Sequence, residues 1–351
     1  MGSIRRIIES IGPLDEAAMR AAADRQDQLT KPRGSLGRLE ELAVQIAGIT
    51  GKARPRLPRK AVVVMAGDHG VCAEGVSAYP QDVTPQMVLN FLAGGAAINV
   101  LSRRAGARVV VVDVGVASEL PEKEGLLRRK VAPGTANLAV GPAMSRAQAE
   151  EAILVGIEAV EAEVAKGLDL VATGDMGIGN TTPSSALVAV LAGEPVAEVV
   201  GRGTGLDDAG LERKIRVIER GIRVNRPDPS DPIGVLAKLG GLEIAGLVGV
   251  ILAGAGHRLP VVVDGFISGA AALVAARICP QAREYLVPSH QSVEAGHRAV
   301  LRALGLRPLL NMDMRLGEGT GSAVAMHLID DALAIQDEMA TFAEAGVSDK
   351  D

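Results

Sequence analysis

Tryptophan is absent from the 351 residues, and two tyrosines and three phenylalanines are all the aromatic residues there are, about 1% of the chain. So few rings cannot build an aromatic cage. A planar ligand would have to lie between aliphatic side chains, methionines and peptide planes. Cysteine is nearly missing too: Cys72 and Cys279 stand alone, without a CxxC pair or metal-ligand spacing, which predicts reduced thiols in a reducing compartment. Acids and bases are interspersed with a net charge of −5 and no basic stripe, so nucleic acid is not an expected partner. Long apolar runs are lacking as well. The stretch 243–254 is too short and glycine-rich to span a bilayer, and the charges of MGSIRRIIESIGPLDEAAM sit too close together for a signal peptide. The expectation is a cytoplasmic protein without a membrane partner.

What is abundant is Ala, Val, Ile and Leu, within a hydrophobic fraction of 48%. Six short apolar runs predict strands: Ala61–Ala66, Arg108–Val114, Leu168–Thr173, Leu259–Asp264, Glu284–Pro288 and Pro308–Met312. They are nearly all apolar rather than alternating, as in strands covered on both faces. Helix-length segments lie between them, among them Pro85–Arg104, Ser145–Lys166 and Ser292–Leu304. This alternation predicts an α/β fold with a doubly wound parallel sheet of about six strands. Both ends read as helical, with Asp15 a cap for EAAMRAAADRQDQL. The expected division is a large catalytic domain over 31–324 and a small helical subdomain from 1–30 and 325–351. The Pro/Asp-rich Asn225–Gly234 reads as a loop or hinge.

Glycine, hydroxyl and carboxylate residues follow the strands: GDHG, GDMGIGNTTPSS, DGFISGAA, SHQS and DMRLGEGTGS. They therefore gather on the edge where open parallel sheets bind ligands. In Gly174–Thr182 the glycines allow close backbone approach, Asn180, Thr181 and Thr182 offer donors and helix caps, and Pro183 suits a first helical turn. A strand, a glycine-rich turn and a helix N-terminus make an anion site, although a ligand-free β–α turn has the same sequence needs. It is neither a Walker A loop nor a GxGxxG fingerprint. Lys214, in the helical run after GRGTG, reads on spacing alone as a surface lysine. Glu318, flanked by Gly317 and Gly319, reads equally as a desolvated base or as a helix N-terminal acid. Asp175 and Asp264 are further acids on this edge, while Asp68 and His69 read as local turn residues. His290 and His297, seven apart, could share a helix face. The five histidines show no metal-ligand pattern, and no GxSxG elbow exists.

Taken together, KPRGSLGRLE, AGDHGV, VSAYPQDVTPQMVLNFLAGGAAINVL, GDMGIGNTT, GRGTGLDD, VVDGFISGAAAL, SHQSVEAGH and MRLGEGTGSA resemble the nicotinate-nucleotide–dimethylbenzimidazole phosphoribosyltransferases, in order and over most of the chain. The resemblance implies a Rossmann-like large domain. It also implies transfer of 5-phosphoribose from nicotinate mononucleotide to 5,6-dimethylbenzimidazole, with anomeric inversion, to give α-ribazole 5′-phosphate in cobalamin biosynthesis. Glu318 is implied as the base, and Gly177, Ile178, Gly179, Asn180 and Thr181 as phosphate contacts supported by Gly203, Lys214 and Ser292. Tyr79, Pro80, Gln86 and Leu316 are implied around the benzimidazole. A homodimer is implied, with no cofactor and no metal. The chain departs from the expected loop at Asp175, where glutamate is usual. The shorter carboxylate puts in question any direct bond made there. The alternatives are transfer to another base, purine or phenolic, and a nucleotide-sensing module without catalysis; a dinucleotide-dependent oxidoreductase lacks its fingerprint after the first strand.

Overall fold

The computed structural model describes residues 2–203 and 205–348. Six strands form one sheet: β1 (Lys60–Gly67), β2 (Ala107–Gly115), β3 (Leu126–Arg128), β4 (Leu170–Met176), β5 (Val261–Val263) and β6 (Leu286–Pro288). Every pairing is parallel, and the spatial order is β3-β2-β1-β4-β5-β6. The chain thus winds one way from β1 and the other way from β4, which opens a crevice above the strand C-termini where the direction reverses.

The apolar runs are explained by β1, all of whose residues are buried. Ala61, Val63 and Met65 join one core with the helices Arg146–Val164 and Leu242–Gly256. Val62, Val64 and Ala66 join another with Arg38–Thr50, Ala97–Ala105 and Thr320–Glu338. A strand between two such layers has no polar face to alternate. The apolar stretch around 243–254 is the buried Leu242–Gly256 helix. No helix among the described residues is long and apolar enough to cross a membrane.

Two expectations about the sheet are corrected. Residues 308–312 are not a strand. They run beside the exit of β6 and form a single bridge, His290 to Leu310, because Pro308 has no N–H and the chain then departs toward the site. The sixth strand is instead β3, three residues on the sheet edge within the charged stretch EKEGLLRRK, where no apolar run marks it. Glu284 and Tyr285 belong to a 3-10 turn before β6. The Pro85–Arg104 segment divides into helices Val83–Ala93 and Ala97–Ala105, with Gly94 left-handed at the break. Asp15 caps Glu16–Gln28 as expected, accepting from Ala18 N–H at 2.9 Å. The chain ends meet: Arg25 donates to the Gln336 carbonyl and Gln26 to the Gln336 side chain, each at 2.6 Å.

Candidate active site

A cavity of about 330 Å³ lies over the C-terminal ends of β4, β5 and β6. Its walls are the end of β4 and the turn after it (Asp175, then Gly177, Gly179, Asn180 and Thr181), the segment after β5 (Gly265, Phe266, Ile267) and the turn after β6 (His290, Ser292, Glu294). Gly203, the 315–317 segment and Val76, Ser77 and Tyr79 close the remaining sides. The hydrocarbon and peptide surfaces of this wall suit a planar ring that has little aromatic partner to stack on.

The β4 turn is shaped by close approach. A side chain on Gly177 would fall on the Gly67 carbonyl oxygen, and Gly179 has φ +88°. Asn180 does not cap the helix Thr181–Ala192 as expected; its amide donates to Asp175 Oδ2 at 2.9 Å. Ile178 departs from expectation in another way. Its N–H donates to Thr84 Oγ1 at 3.1 Å and so is not offered to a ligand. Lys214 is no surface residue: it is fully buried, and its ammonium donates to Thr181 Oγ1 at 2.7 Å and to the Gly201 carbonyl at 3.3 Å. The signal was present, since the buried positions of Asp208–Asn225 are Gly210, Lys214, Val217, Ile218, Gly221 and Asn225. Lys214 thus sits inside the apolar stripe of its own helix. Burial pulls its pKa down to about 8, against the opposing pull of Glu294.

Carboxyl groups crowd the opposite side. Asp264, at the end of β5, accepts from Gly319, Gly321 and Ser322 N–H at 3.0, 2.8 and 3.1 Å and so holds the start of the Thr320–Glu338 helix. Burial nevertheless pushes its pKa up to about 7 against those backbone bonds. Asp175 is raised well above the usual carboxylate range, first by burial and next by Asp264. Its Oδ1 has no partner.

Glu318 lies in a run of three left-handed residues: φ is +81° at Gly317, +62° at Glu318 and +92° at Gly319. A non-glycine residue in that region costs on the order of 1 kcal/mol and must be held by its surroundings. Its backbone presses on β4, where a side chain on Gly174 would strike the Glu318 carbonyl, and its N–H donates to the Asp175 carbonyl at 3.3 Å. The carboxyl is buried. It accepts from Ile98 N–H at a long 3.4 Å, at the start of Ala97–Ala105, so the acid meets the N-terminus of a helix other than the one it precedes. Burial raises its pKa and that N–H opposes the rise. Glu318 does not line the cavity; its neighbours Gly317 and Leu316 do.

Of the residues expected around a base, Tyr79 and Leu316 line the mouth and are 55% and 58% exposed, whereas Pro80 and Gln86 are exposed outside the lining. Ser292, Gly203 and Thr181 are brought together there, with Lys214 behind Thr181. His290 lines the cavity with burial lowering its pKa, and it bonds Ser289 Oγ through Nδ1 at 3.0 Å. It shares no helix with His297, whose Nδ1 accepts from Ser292 N–H at 2.9 Å and whose pKa falls to about 3 through burial. His69 is not a local turn residue either. Its Nε2 is 2.9 Å from Glu243 Oε1, in a pair buried on both sides. Asp68 does orient its turn, accepting from Ala117 N–H at 2.8 Å. Among the described residues no group of three His, Cys, Asp or Glu side chains could hold a metal ion.

A doubly wound sheet with a strand-end cavity, a glycine-rich turn backed by a buried lysine and a facing set of carboxyls has the form of a site for an anionic substrate, and a family model described as phosphoribosyltransferase matches residues 11–347. The nicotinate-nucleotide–dimethylbenzimidazole phosphoribosyltransferase of Desulforudis audaxviator is 62% identical over 348 residues, covering 99% of each chain. That of Chloroflexus aggregans is 61% identical over 350 residues, covering 100% of this chain and 99% of its own. The crystal structure of the Thermus thermophilus enzyme superposes with a TM-score of 0.92 at 52% identity, over 96% of this chain and 100% of that one. The chain belongs to the nicotinate-nucleotide–dimethylbenzimidazole phosphoribosyltransferase family.

Proposed function

We propose that the protein transfers the 5-phosphoribosyl group of nicotinate mononucleotide to 5,6-dimethylbenzimidazole, releasing nicotinate and forming α-ribazole 5′-phosphate for cobalamin biosynthesis. The observation that carries this reading to the site is the Gly177–Thr181 turn with the Lys214 ammonium buried against Thr181. A phosphate seated there is met by a helix N-terminus and a fixed positive charge. Gly177, Gly179, Asn180, Thr181, Gly203 and Ser292 surround it, and the apolar Tyr79 and Leu316 at the mouth hold the acceptor ring.

A benzimidazole nitrogen attacks the anomeric carbon from the face opposite nicotinate, so the configuration inverts. The C–N bond to the pyridinium breaks, and its electron pair returns to the ring nitrogen of nicotinate. Glu318 takes the proton from the other benzimidazole nitrogen, turning from its long bond to Ile98 N–H past Gly317 into the cavity. Its raised pKa brings it closer to the operating pH, which favours a general base. Asp175, whose Oδ1 has no partner among the described residues, meets a polar group of the substrate from the cavity wall.

Incubation with nicotinate mononucleotide and a panel of bases, followed by chromatography, tests the reading. Dimethylbenzimidazole-dependent release of nicotinate is expected, and absence of release with every base would point to the nucleotide-sensing alternative. A homodimer belongs to the same proposal, supported by the exposed apolar side chains of Val293, Met312 and Leu316, and is tested by light scattering. So does the division into 31–324 and a terminal helical unit, which limited proteolysis would test.

A further inference from the structure

Thr84 has no part in the chemistry above, yet it is fully buried between the two halves of the site. It lies in the first turn of Val83–Ala93, only a few residues from Tyr79 on one side and Gln86 on the other. Its Oγ1 accepts the Ile178 N–H at 3.1 Å from 94 residues away. The same hydroxyl faces the carboxyl of Asp68, which is anchored in turn by Ala117 N–H at 2.8 Å. A hydroxyl that accepts from an amide and lies against a carboxylate has a defined direction, donating to the acid and accepting from the N–H. The turn after β1 and the turn after β4 are thereby joined across the crevice. Gln81 Nε2 adds a second tie, donating to the His69 carbonyl at 2.9 Å. On the other side of the Ile178 peptide, its carbonyl accepts from Cys72 Sγ at 3.2 Å.

We propose that Thr84 is a positioning residue that locks the Ile178 peptide, so that the Gly177–Thr181 turn keeps a phosphate-ready shape and is tied to the segment bearing Tyr79 and Gln86. The inference rests on the reading of that turn as the phosphate site. Without the hydroxyl, the Ile178 N–H is left buried and unpaired, which favours rotation of the peptide toward another acceptor and disturbs the neighbouring Gly177 and Gly179.

The test compares nicotinate mononucleotide with nicotinate riboside, which lacks the 5′-phosphate, in the parent protein and in Thr84→Val, Thr84→Ala and Thr84→Ser. The parent should prefer the mononucleotide in kcat/KM on the order of 100-fold or more. Thr84→Val, which keeps the volume but not the hydroxyl, should cut that preference about tenfold, mostly through KM of the mononucleotide. Thr84→Ser should restore it to within about threefold of the parent. Should Thr84→Val fail to fold, Thr84→Ala gives the same reading. A merely structural role would lower Tm and leave the preference unchanged, and that result overturns the proposal. A parent protein with no preference for the phosphorylated donor would overturn the phosphate reading itself.

Discussion

The Lys214 ammonium donates to the Thr181 hydroxyl at 2.7 Å, across 33 residues of chain, and so places a buried positive charge directly behind the helix N-terminus at the cavity. Because burial lowers its pKa to about 8, this charge is lost within an accessible pH range. A phosphate monoester is already dianionic above pH 7, so the lysine alone titrates there. The mononucleotide Kd should rise about tenfold per pH unit above 8. Lys214→Met should bind weakly with a flat profile between pH 7 and 9.5, as read by calorimetry. Stability should move the opposite way. Between about 8 and the ordinary lysine value the unfolded chain holds the proton that the folded one has released, so this group makes the fold more stable as pH rises. A falling affinity accompanied by a falling Tm would assign the effect to unfolding instead.

Gly177 admits no side chain without moving the Gly67 carbonyl. Gly177→Val should raise KM for the mononucleotide at least tenfold while KM for dimethylbenzimidazole changes less than threefold, on the order of the 1–3 kcal/mol that overpacking costs. Equal losses for both substrates, measured by steady-state kinetics, would argue against a phosphate turn.

Asp264 accepts three N–H groups with its two oxygens. Asp264→Asn turns one oxygen into a donor facing those N–H groups and should destabilise the fold by about 2 kcal/mol in urea titration. Since its folded pKa is raised to about 7, the folded state holds a proton that the unfolded state releases from about 4 upward. The parent should therefore lose part of its stability as pH rises from about 4 to 7, and the variant should lack that component.

His69 and Glu243 face each other at 2.9 Å with both side chains buried. Removing one partner strands the other, so Glu243→Ala should cost about 3–5 kcal/mol. A loss below about 1 kcal/mol in chemical denaturation would show that the two side chains are not energetically coupled.

The sheet was legible where strands lie between two layers, as β1, β2 and β4 do, because their middles are apolar and the polar Asp113, Thr173 and Asp175 fall toward the C-terminal ends. It was not legible at β3, an edge piece whose charged neighbours carry no strand signal, nor at 308–312, where Leu309 and Leu310 pack against the core beside a single bridge and form no ladder. The ligand edge could be read because glycine and hydroxyl residues recur after strand after strand. Contacts between distant segments could not. Thr84 with Ile178, His69 with Glu243 and Glu318 with Ile98 depend on which turns meet across the crevice, and no local pattern encodes that. Lys214 is an intermediate case, since its place in an apolar helical stripe was readable but the acceptor it reaches was not.

The role of Glu318 is tested most directly by Glu318→Gln, whose amide oxygen can still accept from Ile98 N–H. The account predicts a folded protein that binds nicotinate mononucleotide within about threefold of the parent, while kcat for transfer to dimethylbenzimidazole falls roughly 10²–10⁴-fold. Turnover within about threefold of the parent would contradict it, and the proton would then have to leave by another group.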